Sequence, residues 1–133
     1  MAPRPVLVAS ALTPLADGGN ARAALLVGRL HADPKSPVYD PVRAKAYLDP
    51  IGSANAQLLL AEMYAANGPD QDVVEAEIYY RQAMASGEEF ARYRLAVMFV
   101  RQGASRSKVQ QTLQPMLDAG DERAVNLLAL VPE

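Results

Sequence analysis

The chain has 133 residues, no cysteine, and 13 basic against 15 acidic residues, for a formal net charge of −2. The lack of cysteine excludes disulfides and thiolate chemistry, and the balanced charge offers no basic surface for nucleic acid or an anionic membrane. No run approaches the roughly 18 apolar residues of a membrane span. We therefore predict neither nucleic-acid binding nor direct membrane insertion.

Two helical patterns, which we call A and B, alternate along the chain. In each A segment a leading alanine is followed by apolar residues at i+4 and i+7 and by glycine or alanine at i+5. Such spacing predicts a helix with one apolar stripe and one position of close helix–helix approach. The leading alanines, which are 33, 35 and 33 residues apart, are Ala23, Ala56, Ala91 and Ala124.

Taken in chain order, the patterns predict eight short helices in one all-α domain, arranged B-A-B-A-B-A-B-A. The B helices are predicted near 6–17, 41–51, 72–86 and 106–119, and the A helices near 21–32, 54–66, 89–102 and 122–131. Each B helix is followed by a glycine, which favours the left-handed conformation that closes a helix; these are Gly18 or Gly19, Gly52, Gly87 and Gly120. The predicted N-caps are Asp40, Asp70 or Asp72, and Ser105 for B helices, and Ser53 or Asn55, and Asp121 for A helices.

Three of the B segments contain a proline in the same register, namely Pro14, Pro50 and Pro115. A proline inside a helix removes one backbone donor and crowds the preceding turn. We therefore expect these helices to bend or to end early, and so to shape the array rather than to bind a ligand.

The best copy of the pattern resembles the Sel1-like repeat, a relative of the tetratricopeptide repeat. Its matching residues are Ala56, Leu60, Ala61, Met63, Tyr64, Asp72, Ala76, Tyr79, Tyr80, Ala83 and Gly87. The copy from Ala23 to Gly52 matches more loosely, and the last copy has Thr112-Leu113 where the aromatic pair belongs. The resemblance implies a right-handed superhelical solenoid of antiparallel helix pairs that binds other proteins and assembles them into complexes.

Two short segments, 24–30 and 40–46, are also similar to the subgroup of this family that includes the periplasmic scaffold lipoprotein of alginate export. This similarity implies a bacterial protein of exopolysaccharide secretion. The chain would then act in the periplasm, and otherwise we expect it in the cytoplasm.

Catalytic and metal-binding patterns are missing from the sequence. The one histidine, His31, aligns with Tyr64 and Phe99, so we expect it to pack between helices. No second histidine or cysteine is available to complete a zinc site. The paired acidic residues lie at predicted turns and helix starts, where carboxylates favour helix N-termini; they are Asp70 with Asp72, and Glu88 with Glu89. We predict no enzyme activity, no metal and no cofactor.

By analogy with tetratricopeptide repeats, the A-helix residues beside the buried stripe form an inner binding wall. The candidate binding residues are Arg22, Arg29, Asn55, Glu62, Tyr93, Arg101, Arg123 and Asn126. Arginines bind carboxylates through two parallel hydrogen bonds, so this wall suits an acidic peptide segment. We expect a protein–protein interaction scaffold.

The alternative is a module that binds an anionic polymer or exopolysaccharide and assists its export. Sugar rings stack on exposed aromatic side chains, and only Tyr39, Phe90 and Tyr93 fall outside the packing positions. That shortage counts against the polymer.

The predicted array begins in a B helix and ends in an A helix, with no polar capping helix at either edge. Repeat arrays need such caps for solubility. We therefore expect either a fragment of a longer array or apolar ends that pair with another molecule, including a second copy of the chain.

Overall fold

The computed structural model describes residues 2–133, and every regular element in that range is an α-helix. The helices are α1 (Arg4–Asp17), α2 (Ala21–Ala32), α3 (Pro41–Leu48), α4 (Ala54–Ala65), α5 (Val73–Ala85), α6 (Phe90–Arg101), α7 (Arg106–Asp118) and α8 (Glu122–Ala129). The predicted all-α class with eight short helices is confirmed. Within the described range, no helix is both long enough and apolar enough to cross a bilayer.

The helices pack in sequence, each mainly against the next one along the chain, and α4 with α5 form the most closely packed pair. Alternate helices also touch. The A helix α2 packs against α4, α4 is joined to α6 by Glu62 and Arg94, and Arg123 of α8 lies over the ring of Tyr93 in α6. The A helices therefore form one row of neighbours.

The B helices α1, α3 and α5 are tied to one another by tyrosine hydroxyls. Tyr47 of α3 donates to Asp17 at the end of α1 over 2.6 Å, and Tyr79 of α5 donates to Asp49 just after α3 over 3.1 Å. The same two rings stack on the preceding A helix: Tyr47 on His31 and Tyr79 on Tyr64, each with ring centroids 6.0 Å apart. The packing role predicted for His31, which is 6% exposed, is confirmed.

The core is built where one large B-helix side chain meets a small A-helix residue. Leu48, Tyr80 and Leu113 occupy equivalent positions of α3, α5 and α7, and each is at most 1% exposed. A Cβ atom added to Gly28 of α2 would lie 2.6 Å from Cγ of Leu48. Gly28, at the i+5 position of α2, therefore lacks a side chain where Leu48 rests directly on the helix.

Side-chain caps begin most of the helices. The residues whose side chains accept a backbone N–H of the first turn are Asn20, Asp40, Ser53, Asp72, Ser105 and Asp121. Of the alternatives left by the sequence, Ser53 caps α4 and Asp72 caps α5. The glycines after the B helices have positive φ, as an αL closing residue requires; they are Gly19, Gly52, Gly87 and Gly120.

The three prolines do not act alike. Pro14 and Pro115 lie inside α1 and α7, and both helices continue past them. In contrast, α3 ends at Leu48, before Pro50. Helices α5 and α7 continue for more than a turn past Tyr80 and Leu113, the residues equivalent to Leu48. Pro50 has no N–H group to continue the helical hydrogen bonds, and the next N–H, that of Ile51, donates to Leu48 three residues back. Early termination, one of the two predicted outcomes, therefore occurs in α3.

Candidate functional site

A cleft with a volume of about 620 Å³ opens between α4, α5 and α6. Tyr80, Val97 and Met98 form its apolar part. Six polar side chains line the remainder, contributed by α4 with its following loop and by α6 with its C-cap residue: Glu62, Asn67, Gln71, Arg94, Arg101 and Gln102. We call this the α4–α6 cleft.

A charged network joins the three helices of the cleft. Arg94 donates from Nε and Nη2 to the two carboxylate oxygens of Glu62, over 2.7 and 3.0 Å. The hydroxyl of Tyr80 donates to Oε2 of Glu62 over 2.9 Å. About a third of each charged side chain is exposed, 33% for Glu62 and 30% for Arg94. The pair is thus half-buried, fixed in orientation and still open to a ligand.

The pKa values of both Tyr80 and Arg94 are raised in this network. Burial raises the pKa of the Tyr80 hydroxyl, and the neighbouring Glu62 carboxylate raises it further. The hydrogen bond to Glu62 raises the pKa of the Arg94 guanidinium. At neutral pH, Tyr80 therefore remains a neutral donor and Arg94 a full positive charge.

The cleft keeps unused donors that point to anion binding. A guanidinium has five N–H donors, and the pair with Glu62 uses two of those on Arg94. Arg101 lies seven residues further on, so α6 presents both arginines on one face. None of the ion pairs within residues 2–133 involves the exposed Arg101. Two arginines against one glutamate leave the cleft with a positive charge.

The structure distributes the predicted wall residues over four places. Glu62 and Arg101 line the α4–α6 cleft. Arg29 lines a smaller cavity of about 250 Å³ that Glu62 also borders, between α2 and α4. The exposed side chains outside both cavities are Arg22, Asn55 and Asn126.

Tyr93 and Arg123 belong to a separate aromatic cluster. The rings of Phe90 and Tyr93 lie 6.3 Å apart, and the Arg123 guanidinium lies 5.7 Å from the Tyr93 centroid. Arg123 also pairs with Asp121 at 2.8 Å, and its hydrogen bond lowers the pKa of that carboxyl. The predicted wall residues are therefore divided among the cleft, the smaller cavity, an aromatic cluster and exposed positions outside all three.

Arg94 is the residue of the candidate site that the sequence pattern did not predict. It stands beside the apolar stripe of α6, 32 residues after Glu62. That separation is close to the repeat length, and opposite charges one repeat apart on adjacent A helices are placed to pair. The spacing between Glu62 and Arg94 in the sequence was therefore the one signal that could have predicted their ion pair.

Comparison with protein-family models, with curated proteins and with solved structures found no match to this chain. What the structure establishes is an all-helical domain whose eight helices pack in sequence, consistent with a helical repeat. Within residues 2–133, no group of three or more His, Asp or Glu side chains is placed to hold a metal ion.

Proposed function

We propose that this chain is a protein-interaction scaffold of the Sel1-like type, a solenoid of antiparallel helix pairs, and that its α4–α6 cleft binds an acidic segment of a partner protein. Repeat arrays present extended surfaces made by successive repeats, and such surfaces commonly bind proteins. The proposal joins that general property to the local chemistry of the cleft.

Recurring backbone contacts support the repeat type. The N–H group of the N-cap residue of a B helix donates to the carbonyl at the same A-helix position in two successive pairs. The bonds are Asp40 to His31 and Asp72 to Tyr64, both at 2.8 Å. A contact that recurs at equivalent positions is expected when one structural unit is repeated.

The observation that carries the binding role is the pair of arginines on one wall of the cleft. Arg94 is held in place by Glu62, which leaves its remaining donors oriented, and Arg101 is unpaired among the described residues. Oriented guanidinium groups form short, charge-assisted bonds to carboxylates. The amides of Asn67, Gln71 and Gln102 supply further polar groups along the same cleft, as a peptide backbone requires.

A second candidate, binding of an anionic polysaccharide within an export assembly, draws support from the aromatic cluster. Phe90 is 46% exposed and lies beside Tyr93 and the Arg123 guanidinium. An exposed aromatic face next to a cation suits the stacking of an acidic sugar ring. This surface lies outside the α4–α6 cleft, so different substitutions test the two candidates.

Fluorescence anisotropy tests both candidates with three probes: a labelled glutamate-rich peptide, a glutamine-rich peptide of equal length, and a polyuronate oligosaccharide. We expect the glutamate peptide alone to bind, more weakly at high salt. Arg101→Ala weakens that binding about tenfold or more, since a hydrogen bond to a charged group contributes about 1.5–3 kcal/mol. Arg4→Ala, an exposed arginine of α1, is the matched control.

Equal affinity for the glutamate and glutamine peptides, or no effect of Arg101→Ala, contradicts the acidic-segment proposal. Polyuronate binding that Phe90→Ala abolishes and Arg101→Ala leaves unchanged identifies the polysaccharide module instead.

A further inference from the structure

Helix α1 leaves uncovered a face that the interior B helices bury. Val8, Ala11 and Leu15, spaced i, i+3 and i+7, lie on one side of this helix. Val8 is 37% and Leu15 is 53% exposed, and Ala11 is exposed as well. No charged residue interrupts α1 between Arg4 and Asp17. An apolar stripe without charges, open to solvent, is typical of a surface that packs against another helix.

The equivalent stripe of α5 is fully covered. Its residues Ala76, Tyr79 and Ala83 are 0%, 4% and 0% exposed. They lie in the most closely packed helix pair of the molecule, α4 with α5, where Tyr79 stacks on Tyr64 of α4. The stripe of α1 is exposed because no A helix precedes α1 within the described residues.

Helix α8 and its end show the reverse situation. Val125 is 52% exposed, and Ala129 and Pro132 are exposed too. These residues stand at the A-helix positions that α3 covers in the α2/α3 pair. The buried residues at those positions of α2 are Ala24, Gly28 and His31.

The two uncovered faces correspond to the two sides of the α2/α3 contact. Gly28 receives Leu48 of α3, and His31 stacks on Tyr47 of α3. Ala129, equivalent to Gly28, has no such side chain resting on it, and Leu12, equivalent to Leu48, is only half-buried. The segment from 124 to 132 is uncharged, as α1 is between its ends. Neither face therefore presents a charge that would have to be desolvated.

We propose that the chain associates with itself head to tail, with α8 of one copy packed on α1 of the next as α2 packs on α3. The occupant is a second copy because each face fits the face that the other end presents, and the A–B pairing within the chain then continues across the contact. A contact between two different faces is heterologous, so it forms an open chain or a ring rather than a closed two-fold dimer. This proposal does not depend on what the α4–α6 cleft binds.

Sedimentation velocity and light scattering test the proposal on the 133-residue chain. We expect the weight-average mass to rise above the 14.3 kDa of one chain as concentration increases from micromolar to millimolar. Val8→Glu and Ala129→Glu each place a charge in one face at an exposed position, so each returns the protein to monomers. Val74→Glu, at a position 68% exposed on α5, is the control and leaves association unchanged. Circular dichroism of every variant verifies folding, and Leu15→Glu and Val125→Glu replace any variant that does not fold.

Mixing the two variants gives the sharpest result. Val8→Glu retains an intact α8 face and Ala129→Glu retains an intact α1 face, so an equimolar mixture forms a one-to-one complex of about twice 14.3 kDa and grows no further. A wild-type chain that is monomeric at all these concentrations overturns the proposal. So does association that only one of the two substitutions abolishes, or a mixture that stays monomeric.

Discussion

The middle of the molecule and its two ends contain the same local sequence pattern in different surroundings. Ala61 of α4 is 0% exposed, whereas Ala129 at the equivalent position of α8 is exposed. Both follow a leucine, Leu60 or Leu128, in an A helix. The local pattern therefore determines that a helix forms and which stripe is apolar, but burial of that stripe depends on the neighbouring helix.

The pairs also differ in how their helices are fastened. In α3 and α5 a tyrosine hydroxyl reaches back to a carboxylate at the end of the previous B helix. In α7 the equivalent residue is Thr112, whose hydroxyl donates instead to the carbonyl of Lys108 in its own helix, over 2.9 Å. Arg106 of α7 holds the end of α8 by donating to the carbonyls of Leu128 and Val131. Helices α7 and α8 are therefore held by the Arg106 hydrogen bonds rather than by a tyrosine hydroxyl.

The largest difference between interior and end is expected for one leucine substitution made at two equivalent positions. Leu113 of α7 is 0% exposed, whereas Leu12 of α1 is half-buried. Leu113→Ala should lower the free energy of unfolding by about 2–5 kcal/mol, since it leaves a cavity in a closed core. Leu12→Ala should cost about 1 kcal/mol, because solvent already reaches that side chain. Urea denaturation of both variants measures this, and equal losses would show that burial by neighbours is not the deciding factor.

A second prediction concerns the close approach of α2 and α3. Gly28→Ala places a Cβ 2.6 Å from Leu48, so it should lower the unfolding free energy by about 1–3 kcal/mol, despite the better helix propensity of alanine. In a Leu48→Ala background the clash disappears, and the same change should become neutral or stabilising. Thermal unfolding of the two single variants and the double variant gives the coupling energy. A coupling near zero would mean that Gly28 and Leu48 do not press on each other.

The third prediction separates the half-buried ion pair of the cleft from an ion pair on the surface. Glu62→Gln removes the charge that Arg94 and Tyr80 share and should cost about 1–2 kcal/mol, between the values for charged hydrogen bonds and for exposed pairs. Glu77→Gln is the matched control, because Glu77 pairs with Arg81 of the same helix at 2.9 Å. Its loss should be about 0.5 kcal/mol or less. If urea denaturation showed the same loss of unfolding free energy for Glu62→Gln and Glu77→Gln, the Glu62–Arg94 pair would contribute no more than an exposed ion pair.

Much of the helical layout follows from the sequence because its signals are local. The apolar spacing after Ala56, the caps Ser53 and Asp72, and the closing glycine Gly87 act within a few residues. Helix α3, which ends at Leu48 rather than near residue 51, shows what such signals leave open. Pro14 and Pro50 looked equivalent, and only the structure shows that one lies inside a helix and the other follows its end.

The candidate site was less predictable because it depends on contacts between repeats. Arg101 and Glu62 were expected on one wall and do line one cleft. Tyr93 and Arg123 were expected on that same wall, yet they pack with each other outside the cleft. Arg94 was not expected at all, since its role depends on a partner 32 residues away. Side-chain pairing across helices is set by the packing, which local periodicity does not encode.

The smallest predicted effect tests the tyrosine ties of the interior pairs at alkaline pH. Burial raises the pKa of Tyr79, and the hydrogen bond to Asp49 raises it further. The pKa of Tyr39 is raised to about 12, mainly by burial and also by the hydrogen bond to Asp70. A pKa higher in the folded than in the unfolded state contributes stability that is complete below the unfolded value, about 10. That stability is lost as the pH rises toward the folded value.

The unfolding free energy of the wild type should therefore fall above pH 10, and Tyr79→Phe should reduce that fall by at most about 1.4 kcal/mol at pH 11. Asp49→Asn, which removes the carboxylate but keeps the ring, should reduce it by less. Urea denaturation between neutral pH and pH 11 gives the curves. Parallel curves for wild type and Tyr79→Phe would mean that Tyr79 titrates equally in both states. The hydrogen bond between Tyr79 and Asp49 would then add no pH-dependent stability to the contact between α3 and α5.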